Sequence, residues 1–477
     1  MKSVVMIPYY FPPEGSAGVY RPLRFVRQLA ALGWETTVVT GHPYRYERYD
    51  PELVNHIPKE TEIIRVGASD PLQALQAWRG KRLQNQLSEG PAGSVERIEA
   101  VHHGTFRARV RNVMRTVESY YYVPDRAKPW IRPAVQTVRE VCTSKYPIAL
   151  WATVGPISAG VVAQQASQLT NVPYVLDFRD PWELYYYESE MQRPKAVTRS
   201  AQRTMYKLFE GAQAVIFLFP RVAECYWRAY KGALDAAKIH IIPNGYEGAI
   251  EDFRAPNHDT CNILYSGTLG SYRYDTLLQA LQELKKAYPN LAKYMRVHFV
   301  GDGMNSLARE AHSFDISDIV KTAPPVSYDE LKCLYEKTHA FLILGRYPER
   351  KGHELVAGAK LFGYFKARKP IIGILPQDET KDILANVGVE TIAKANSVSE
   401  IVSVFRKVHE AWSEGQLSSL LPNAHACEAY SSKPQTMALV RALEGLPPEA
   451  SFVPGNVNLP ISLRETIEDR SLWYRKS

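Results

Sequence analysis

Residues 3–40, SVVMIPYYFPPEGSAGVYRPLRFVRQLAALGWETTVVT, decide the fold. The run Ser3–Ile7 is apolar and β-branched on both faces, which is typical of a parallel strand covered by helices. Residues 21–32 repeat apolar side chains at helical spacing, and Gly33 ends that helix. Residues 36–40 supply the next strand. A strand, a helix and a second strand in this order indicate a βαβ unit.

The same pattern recurs in two arrays that a polar stretch at residues 247–260 separates. The remaining strands of the first array are predicted at residues 148–153, 174–178, 214–218 and 239–242. The second array has predicted strands at residues 262–265, 297–300, 340–344 and 370–374, and predicted helices at 276–286, 329–337 and 397–414. Two such arrays predict an α/β fold with two Rossmann-like, doubly wound domains facing each other across a cleft.

The domain boundaries follow from these arrays. The predicted units are an N-terminal domain at residues 1–248 with an insertion at 71–125, a C-terminal domain at 261–430, a helix that packs back at 431–446, and a tail at 447–477. Ligands of doubly wound folds bind beyond the carboxyl ends of the strands, so we expect the functional site in the cleft between the domains.

Composition narrows the class of protein. Lysine and arginine total 58 against 50 aspartate and glutamate, and this net charge of +8 over 477 residues permits an anionic partner without predicting nucleic-acid binding. The 5 cysteines contain no CxxC motif, which argues against a zinc site and favours a reduced, cytoplasmic protein. No apolar run reaches the roughly 18 residues of a membrane span.

Residues 71–125 interrupt the first array and mix arginines with apolar side chains. Such a basic amphipathic segment could lie on an anionic membrane surface, which would place the protein peripherally on the inner face of the membrane. The alternative is a solvated helical hairpin that lies on the domain, because charged helix faces usually face water.

Two loops of the first array carry candidate site residues. Gly15 and Gly18 follow the first strand, where glycine lets a backbone approach a ligand closely. Asp177, Arg179 and Asp180 end the strand YVLDF, and polar side chains there would face the cleft and orient sugar hydroxyls. The alternatives are a plain strand-to-helix turn and a local ion pair between Arg179 and a carboxylate.

The second array repeats this arrangement. Its first strand leads into Tyr265-Ser-Gly-Thr-Leu-Gly270, where Gly267 and Thr268 could approach a phosphate and Arg273 could pair with it. Gly301 lies in a second strand-end turn. Near Gly358 a helix begins whose amide groups, with those of Ala359 and the side chain of Lys360, could hold a pyrophosphate. Glu354 could accept hydrogen bonds from ribose or sugar hydroxyls. A solvated arginine and a solvated lysine are the alternatives for the two cations.

The order of these motifs resembles that of the GT-B glycosyltransferases of glycosyltransferase family 4, which are retaining and use nucleotide sugars. The resemblance extends over about residues 1–440. It is carried by the opening loop and by the motifs DFRDPW, IPNGYE, YSGTLG, VGDG and AKLFGYFKARKPII. The resemblance implies that the C-terminal domain binds the nucleotide diphosphate sugar and that the N-terminal domain binds a sugar or lipid-linked acceptor. It further implies a role in bacterial surface polysaccharide or glycoconjugate synthesis, with no cofactor and no metal.

The resemblance also assigns residues to roles. The implied catalytic residues are Asp177, Arg179, Asp180, Arg273 and Lys360. The implied donor-binding residues are Gly15, Gly18, Gly267, Thr268, Arg273, Gly301, Glu354, Gly358, Ala359, Lys360 and Leu361.

The chain departs from the family at two glutamates and an arginine. The family pattern Glu-x7-Glu falls on Leu355 and Gly363, and Thr268 stands where many members have arginine. Two other functions therefore stay open. One is a nucleotide-sugar epimerase of the same fold, although the histidines of this chain do not gather at predicted strand ends. The other is a GT-B-like binding protein without catalytic activity.

Overall fold

The computed structural model describes residues 1–42, 48–68, 70, 120–180, 195–270, 272, 274–345, 355–457 and 459. These residues form two parallel sheets, each covered by helices on both faces. The predicted fold class, two doubly wound α/β domains, is confirmed. Most of the predicted insertion at 71–125 lies outside the described residues, as do the positions of the predicted tail beyond Leu459.

The N-terminal lobe is built on a sheet in the order β3-β2-β1-β4-β5-β6-β7. Its strands are β1 (Ser3–Ile7), β2 (Glu35–Gly41), β3 (Glu62–Val66), β4 (Ala149–Val154), β5 (Tyr174–Phe178), β6 (Ala214–Phe217) and β7 (Ile239–Ile241). In β1 every side chain is buried, and Val5 lies opposite Thr37 of β2 and Leu150 of β4. β1 is therefore a central strand, because it has a neighbour on each side.

Helices cover both faces of this sheet. They are α1 (Tyr20–Ala31), α2 (Ile131–Lys145), α3 (Ser158–Thr170), α4 (Lys195–Gly211) and α5 (Pro220–Ala229). α1 buries Leu23, Phe25, Val26 and Leu29, and Gly33 follows it with a φ of +76°, a conformation that glycine adopts without strain. The apolar spacing of α1 thus packs it on the sheet.

The C-terminal lobe has a sheet in the order β10-β9-β8-β11-β12-β13. Its strands are β8 (Cys261–Ser266), β9 (Met295–Val300), β10 (Val320–Ala323), β11 (Ala340–Leu344), β12 (Ile371–Leu375) and β13 (Ile392–Lys394). Its helices are α6 (Asp275–Ala287), α7 (Pro289–Lys293), α8 (Met304–Ser313), α9 (Tyr328–Glu336), α10 (Lys360–Ala367), α11 (Glu379–Asn386), α12 (Val398–Ser413) and α13 (Ala424–Glu428).

The last helix of the described ranges, α14 (Ser432–Leu443), returns to the N-terminal lobe. It packs against α1 and buries Leu439 and Leu443 with Val4 and Trp151 of the first sheet. The side-chain amide of Gln213 donates to the carbonyl oxygens at the end of α14, at 3.1 and 3.2 Å. One face of the N-terminal sheet is therefore covered partly by the C-terminal end of the chain.

The chain crosses between the lobes at two neighbouring places, and the two crossings are joined by hydrogen bonds. The backbone N–H of Tyr246 donates to the carbonyl oxygen of Tyr430 at 3.1 Å, and Ser432 N–H donates to the carbonyl oxygen of Tyr246 at 2.9 Å. A Cβ atom on Gly245 would lie only 2.0 Å from the carbonyl oxygen of Tyr430. Glycine at 245 thus permits the close approach of the two crossings.

The described part of the tail also lies on the N-terminal lobe. Phe452 and Leu459 are buried in its core, and the backbone N–H of Gly455 donates to the carboxylate of Glu224 in α5 at 3.0 Å. The same core continues across the lobe boundary to Phe341 of β11 and Phe362 of α10. Apolar burial, the main favourable contribution to folding, therefore also holds the two lobes together.

No helix in the described ranges is long and apolar enough to cross a membrane.

Candidate active site

The carboxyl ends of the two sheets face each other, and Arg221 shows this directly. Arg221 follows β6 in α5, and it contacts the segment after β12. Its backbone N–H donates to Glu379 Oε1 at 2.9 Å, and its guanidinium donates to the carbonyl oxygen of Gln377 at 3.2 Å and to the carboxylate of Asp382 at 2.5 Å. A cleft between the strand ends is where doubly wound folds bind ligands.

On the N-terminal side of the cleft, Gly18 and Arg179 lie against each other. A Cβ atom on Gly18 would be 1.7 Å from Arg179 Nη1, so only glycine leaves room for this guanidinium. Arg179 Nη2 also donates to the carbonyl oxygen of Gly155, which follows β4. The structure therefore brings together two predicted site residues from segments that are far apart in sequence, and Gly155 is a third member that sequence analysis missed.

Asp177 is placed differently from Arg179. It lies inside β5, two positions after Val175, and therefore on the same face of the sheet, the face that α1 and α14 cover. Its carboxylate accepts two hydrogen bonds from Arg21 of α1, at 2.9 and 3.0 Å, and both side chains are almost fully buried. The geometry favours a positioning role, and the catalytic role of Asp177 stays a prediction.

Arg21 links more than α1 and β5. Its guanidinium also donates to the carbonyl oxygens of Ile242 and Pro243, at 2.9 and 3.0 Å, in the segment after β7. A fork of five N–H donors suits this arrangement, because one arginine can bind a carboxylate bidentately and still reach two carbonyl groups. Sequence analysis did not identify Arg21, since its partner is 156 positions away.

The other residues of the two N-terminal loops lie at the edge of this site. Asp180 is exposed, and its carboxylate is 4.0 Å from Arg179 Nε, the distance of a weak local ion pair. Gly15 donates its backbone N–H to the carbonyl oxygen of Arg48 at 2.8 Å. Gly15 thus lies against the segment that leads to Asp50. A Cβ atom added to Gly15 would lie 2.9 Å from the Cβ of Asp50.

On the C-terminal side, two strand-end loops touch through glycine. Gly267 donates its N–H to the carbonyl oxygen of Val300 at 2.8 Å and has a φ of +124°. A Cβ atom on Gly301 would be 2.3 Å from the carbonyl oxygen of Gly267. Thr268 follows, with Oγ1 at 3.5 Å from the carboxylate of Asp302. The two glycines therefore pack the loops together, so the structure provides a cause for them besides ligand binding.

Lys360 begins α10 and lies beside the loop of Gly267. Its Nζ is 3.7 Å from the centroid of the Tyr265 ring and 5.4 Å from that of Tyr272. A Cβ atom on Gly267 would lie 3.0 Å from the same Nζ. Cation–π contacts contribute about 0.5–2 kcal/mol and hold the ammonium group in place. The structure thus brings together Gly267 and Lys360, two of the predicted site residues.

The neighbours of Lys360 differ in their exposure. Gly358 and Lys360 both line the cleft and Ala359 is exposed, so the start of α10 lies at the cleft. Leu361, in contrast, is fully buried in the core. The donor-binding role predicted for Leu361 is therefore limited to its backbone. Arg273 and Glu354 lie outside the described residues.

Residues of the C-terminal lobe line a cleft that is open to solvent. Ile343, Leu344 and Val356 form its apolar wall. Its polar groups include Lys360 on one side and Asp378 with Thr380 on the other. Clefts with an apolar wall and a few convergent polar groups are typical binding sites for small molecules.

Asp378 is a cleft residue that sequence analysis missed. It follows β12, and its Oδ1 accepts the backbone N–H of Lys381 at 2.9 Å, as the N-cap of α11. Burial raises the pKa of Asp378 to about 7, although Lys381 N–H and Arg221 oppose the shift. The polar run Gln377-Asp-Glu-Thr380 directly after a buried strand was the available signal.

Comparison with known proteins agrees with this geometry. Residues 17–245 match the family model described as glycosyl transferase 4-like domain. The fold is similar to that of TarM (TM-score 0.58, 11% identity, 93% of this chain and 99% of that chain covered). It is also similar to a glycosyltransferase from Rickettsia africae ESF-5 (TM-score 0.56, 11% identity, 93% and 97% covered). A third similar structure is sucrose-phosphate synthase from Thermosynechococcus elongatus (TM-score 0.55, 13% identity, 92% and 98% covered).

No curated protein matches the chain by sequence. The family match covers the N-terminal lobe, and the structural matches cover both lobes. Residues 17–245 are therefore similar to the glycosyl transferase 4-like domain, and the chain as a whole has the fold of the GT-B glycosyltransferases.

Proposed function

We propose that this protein transfers a sugar from a nucleotide diphosphate sugar to a hydroxyl acceptor, with retention of configuration. One observation carries the proposal: Lys360 is held at the start of α10, in a cleft at the strand ends of the C-terminal lobe and beside the loop of Gly267. A fixed cation beside the N-terminus of a helix supports a diphosphate site at this position.

The chemistry follows from where charge develops. When the bond between the sugar and the diphosphate breaks, positive charge grows on the sugar ring and negative charge grows on the diphosphate. Lys360 and the amide groups at the start of α10 would stabilise the leaving diphosphate more than the bound donor, and this difference lowers the barrier. We propose that the leaving phosphate oxygen takes the acceptor proton on the same face, so the new bond keeps the original configuration.

The N-terminal lobe would position the acceptor. Arg179 is held between Gly18 and Gly155 at the carboxyl ends of the N-terminal strands, where its guanidinium would bind an anionic or hydroxyl group of the acceptor. We propose a sugar or lipid-linked acceptor and a role in bacterial surface polysaccharide or glycoconjugate synthesis. Contact of residues 71–125 with an anionic membrane surface is part of the same proposal, and residues 71–119 of that segment lie outside the described residues.

The similar structures support the donor class. A crystal structure of Staphylococcus aureus TarM, whose fold matches this chain with a TM-score of 0.53, contains UDP and alpha-GlcNAc-glycerol. We propose a nucleotide sugar for this chain as well. The proposed source of positive charge is Lys360 together with the α10 amide groups, so transfer should continue in the presence of EDTA.

A panel of UDP-, GDP- and dTDP-sugars in thermal-shift measurements tests the proposal. A ligand that binds only the folded state raises Tm, and Lys360→Ala should remove that rise. Lys366→Ala, at the other end of α10, is the matched control and should behave like the wild type. Absence of a shift with every member of the panel would contradict the proposal. Conversion of UDP-GlcNAc to its epimer would favour an epimerase, and tight binding without transfer to any acceptor would favour a binding protein.

A further inference from the structure

The cleft has two polar sides of opposite character. Lys360 lies against Tyr265 of β8, and Asp378 with Thr380 follows β12. Ile343 and Leu344 belong to β11, which lies between β8 and β12 in the sheet, so this apolar wall separates the two polar sides of the cleft. An anionic group is attracted to the first side and repelled by the second. A group that reaches the second side is therefore neutral or cationic, and the nearby guanidinium of Arg221 disfavours a cation.

Asp378 is held rigidly while facing the cleft. Its side chain is buried, and Oδ1 is used by the N-cap hydrogen bond from Lys381. Its second oxygen, Oδ2, lies 3.3 Å from the place where a Cβ on Gly345 would be. A Cβ on Gly345 would also lie 2.2 Å from Pro376 Cδ, so glycine at this position permits close packing of the cleft wall that Gly345 and Asp378 both line.

A buried carboxylate that lines a cleft is a strong hydrogen-bond acceptor for donor groups in that cleft. Sugars present neutral hydroxyl donors, and a desolvated acceptor discriminates strongly against ligands that cannot donate to it. The raised pKa of Asp378 agrees with this view, since burial makes the charge costly until a hydroxyl donor compensates it.

We propose that Asp378 is a specificity-determining residue that accepts hydrogen bonds from hydroxyl groups of the nucleotide sugar, while Lys360 binds its diphosphate. This inference rests on the proposed function. The hydroxyl groups have two sources in such a donor, the ribose and the transferred sugar, and the chemistry at Asp378 is the same for both.

Asp378→Asn is the decisive variant. Asparagine is as good an N-cap as aspartate, so its Oδ1 can keep the hydrogen bond from Lys381, while the amide group that replaces Oδ2 can only donate. Asp235→Asn is the matched control, because Asp235 also caps a helical turn, accepting from Ala237 N–H at 3.0 Å in the N-terminal lobe. Melting temperatures of both variants check that they fold.

Calorimetric titration with inorganic pyrophosphate, UDP and UDP-glucose separates a contact to the diphosphate from contacts to the ribose and to the transferred sugar. If the panel identifies another nucleotide, GDP with GDP-mannose or dTDP with dTDP-glucose replaces the UDP pair. Asp378→Asn should weaken binding of the nucleotide sugar about tenfold and leave pyrophosphate binding unchanged, whereas Lys360→Ala should weaken both. An equal loss for the nucleoside diphosphate assigns the contact to the ribose, and a loss only for the nucleotide sugar assigns it to the transferred sugar.

Two results would overturn the inference, and they are distinguishable. If the wild type binds a nucleotide sugar and Asp378→Asn binds it equally well, the role of Asp378 is wrong and the proposed function stands. If the wild type binds no nucleotide sugar of the panel, the proposed function fails and this inference fails with it.

Discussion

The ammonium group of Lys360 lies 3.7 Å from the centre of the Tyr265 ring, so the first residue of α10 is fixed against the carboxyl end of β8. This contact joins the two loops that would hold a diphosphate. It also sets a clear expectation for the lysine, because a fixed cation needs no reorganisation when charge develops on the leaving group.

Replacing Lys360 with alanine should lower kcat/KM at least about tenfold, since charge on the leaving diphosphate loses a partner. Steady-state kinetics with the donor identified by the thermal-shift panel measures the effect. Lys366→Ala on the same helix is the control and should keep wild-type kinetics. Near-wild-type turnover in Lys360→Ala would show that this lysine has no part in transfer.

Replacing Arg21 with methionine should destabilise the fold by about 3–5 kcal/mol, because it leaves the buried Asp177 carboxylate without its cation. Urea unfolding at neutral pH measures the loss. The double variant Arg21→Met with Asp177→Asn removes both charges. Its loss in free energy of unfolding should be smaller than the sum of the losses in the two single variants. Additive losses would show that the two side chains are not energetically coupled.

Replacing Gly18 with alanine should displace the guanidinium of Arg179, since the new Cβ would lie 1.7 Å from Nη1. We expect kcat/KM to fall about tenfold, as in Arg179→Ala, with no further loss in the double variant. Gly67→Ala is the matched control, because a Cβ at that exposed glycine meets nothing within 4 Å. Full activity in Gly18→Ala would contradict a role for Arg179 in the cleft.

Replacing Glu379 with glutamine should change how stability depends on pH. Burial raises the pKa of Glu379 from 4.5 to about 8, so the folded chain keeps a proton that the unfolded chain loses. The stabilising contribution of this proton is complete below about pH 4.5 and is lost as the pH rises through about 8. The Tm of Glu379→Gln relative to the wild type should therefore rise between about pH 5 and pH 8. A constant difference would mean that Glu379 titrates normally in the fold.

Replacing Gly363 with alanine should stabilise the protein by about 0.5–1 kcal/mol, because glycine inside a helix costs backbone entropy. A Cβ at this position would lie 3.9 Å from the Tyr335 hydroxyl oxygen, an ordinary contact distance, so the added methyl group fits. Calorimetric unfolding measures the gain. A loss of stability would mean that α10 has no room at this point.

The central strands were predictable because they are buried on both faces. β1, β5 and β11 have the predicted bounds, since parallel strands under two layers of helices are continuous apolar runs. The strands that sequence analysis missed, β3, β10 and β13, lie at or beside the edges of the sheets. They are short and partly exposed, so polar residues interrupt them and the apolar signal is weak.

The candidate site was predictable where glycines and cations follow central strands. Gly18 with Arg179, and Gly267 with Lys360, are pairs that the fold brings together from predicted loops. The partner of Asp177 could not be predicted, because the sequence does not show which face of β5 meets Arg21 across a long separation. Asp378 was missed for a different reason: a helix-capping aspartate looks the same in sequence whether or not a cleft lies beside it.

The hydrogen bonds between Tyr246 and the segment around Tyr430 and Ser432 make the two passages between the lobes a single hinge. Any opening of the cleft must bend both passages at once, so the rotation axis of the opening has to run through the place where the two passages are hydrogen-bonded. A protease cut in either passage would leave the lobes tethered by the other. An isolated N-terminal lobe would need α14 supplied as a separate piece to complete its surface.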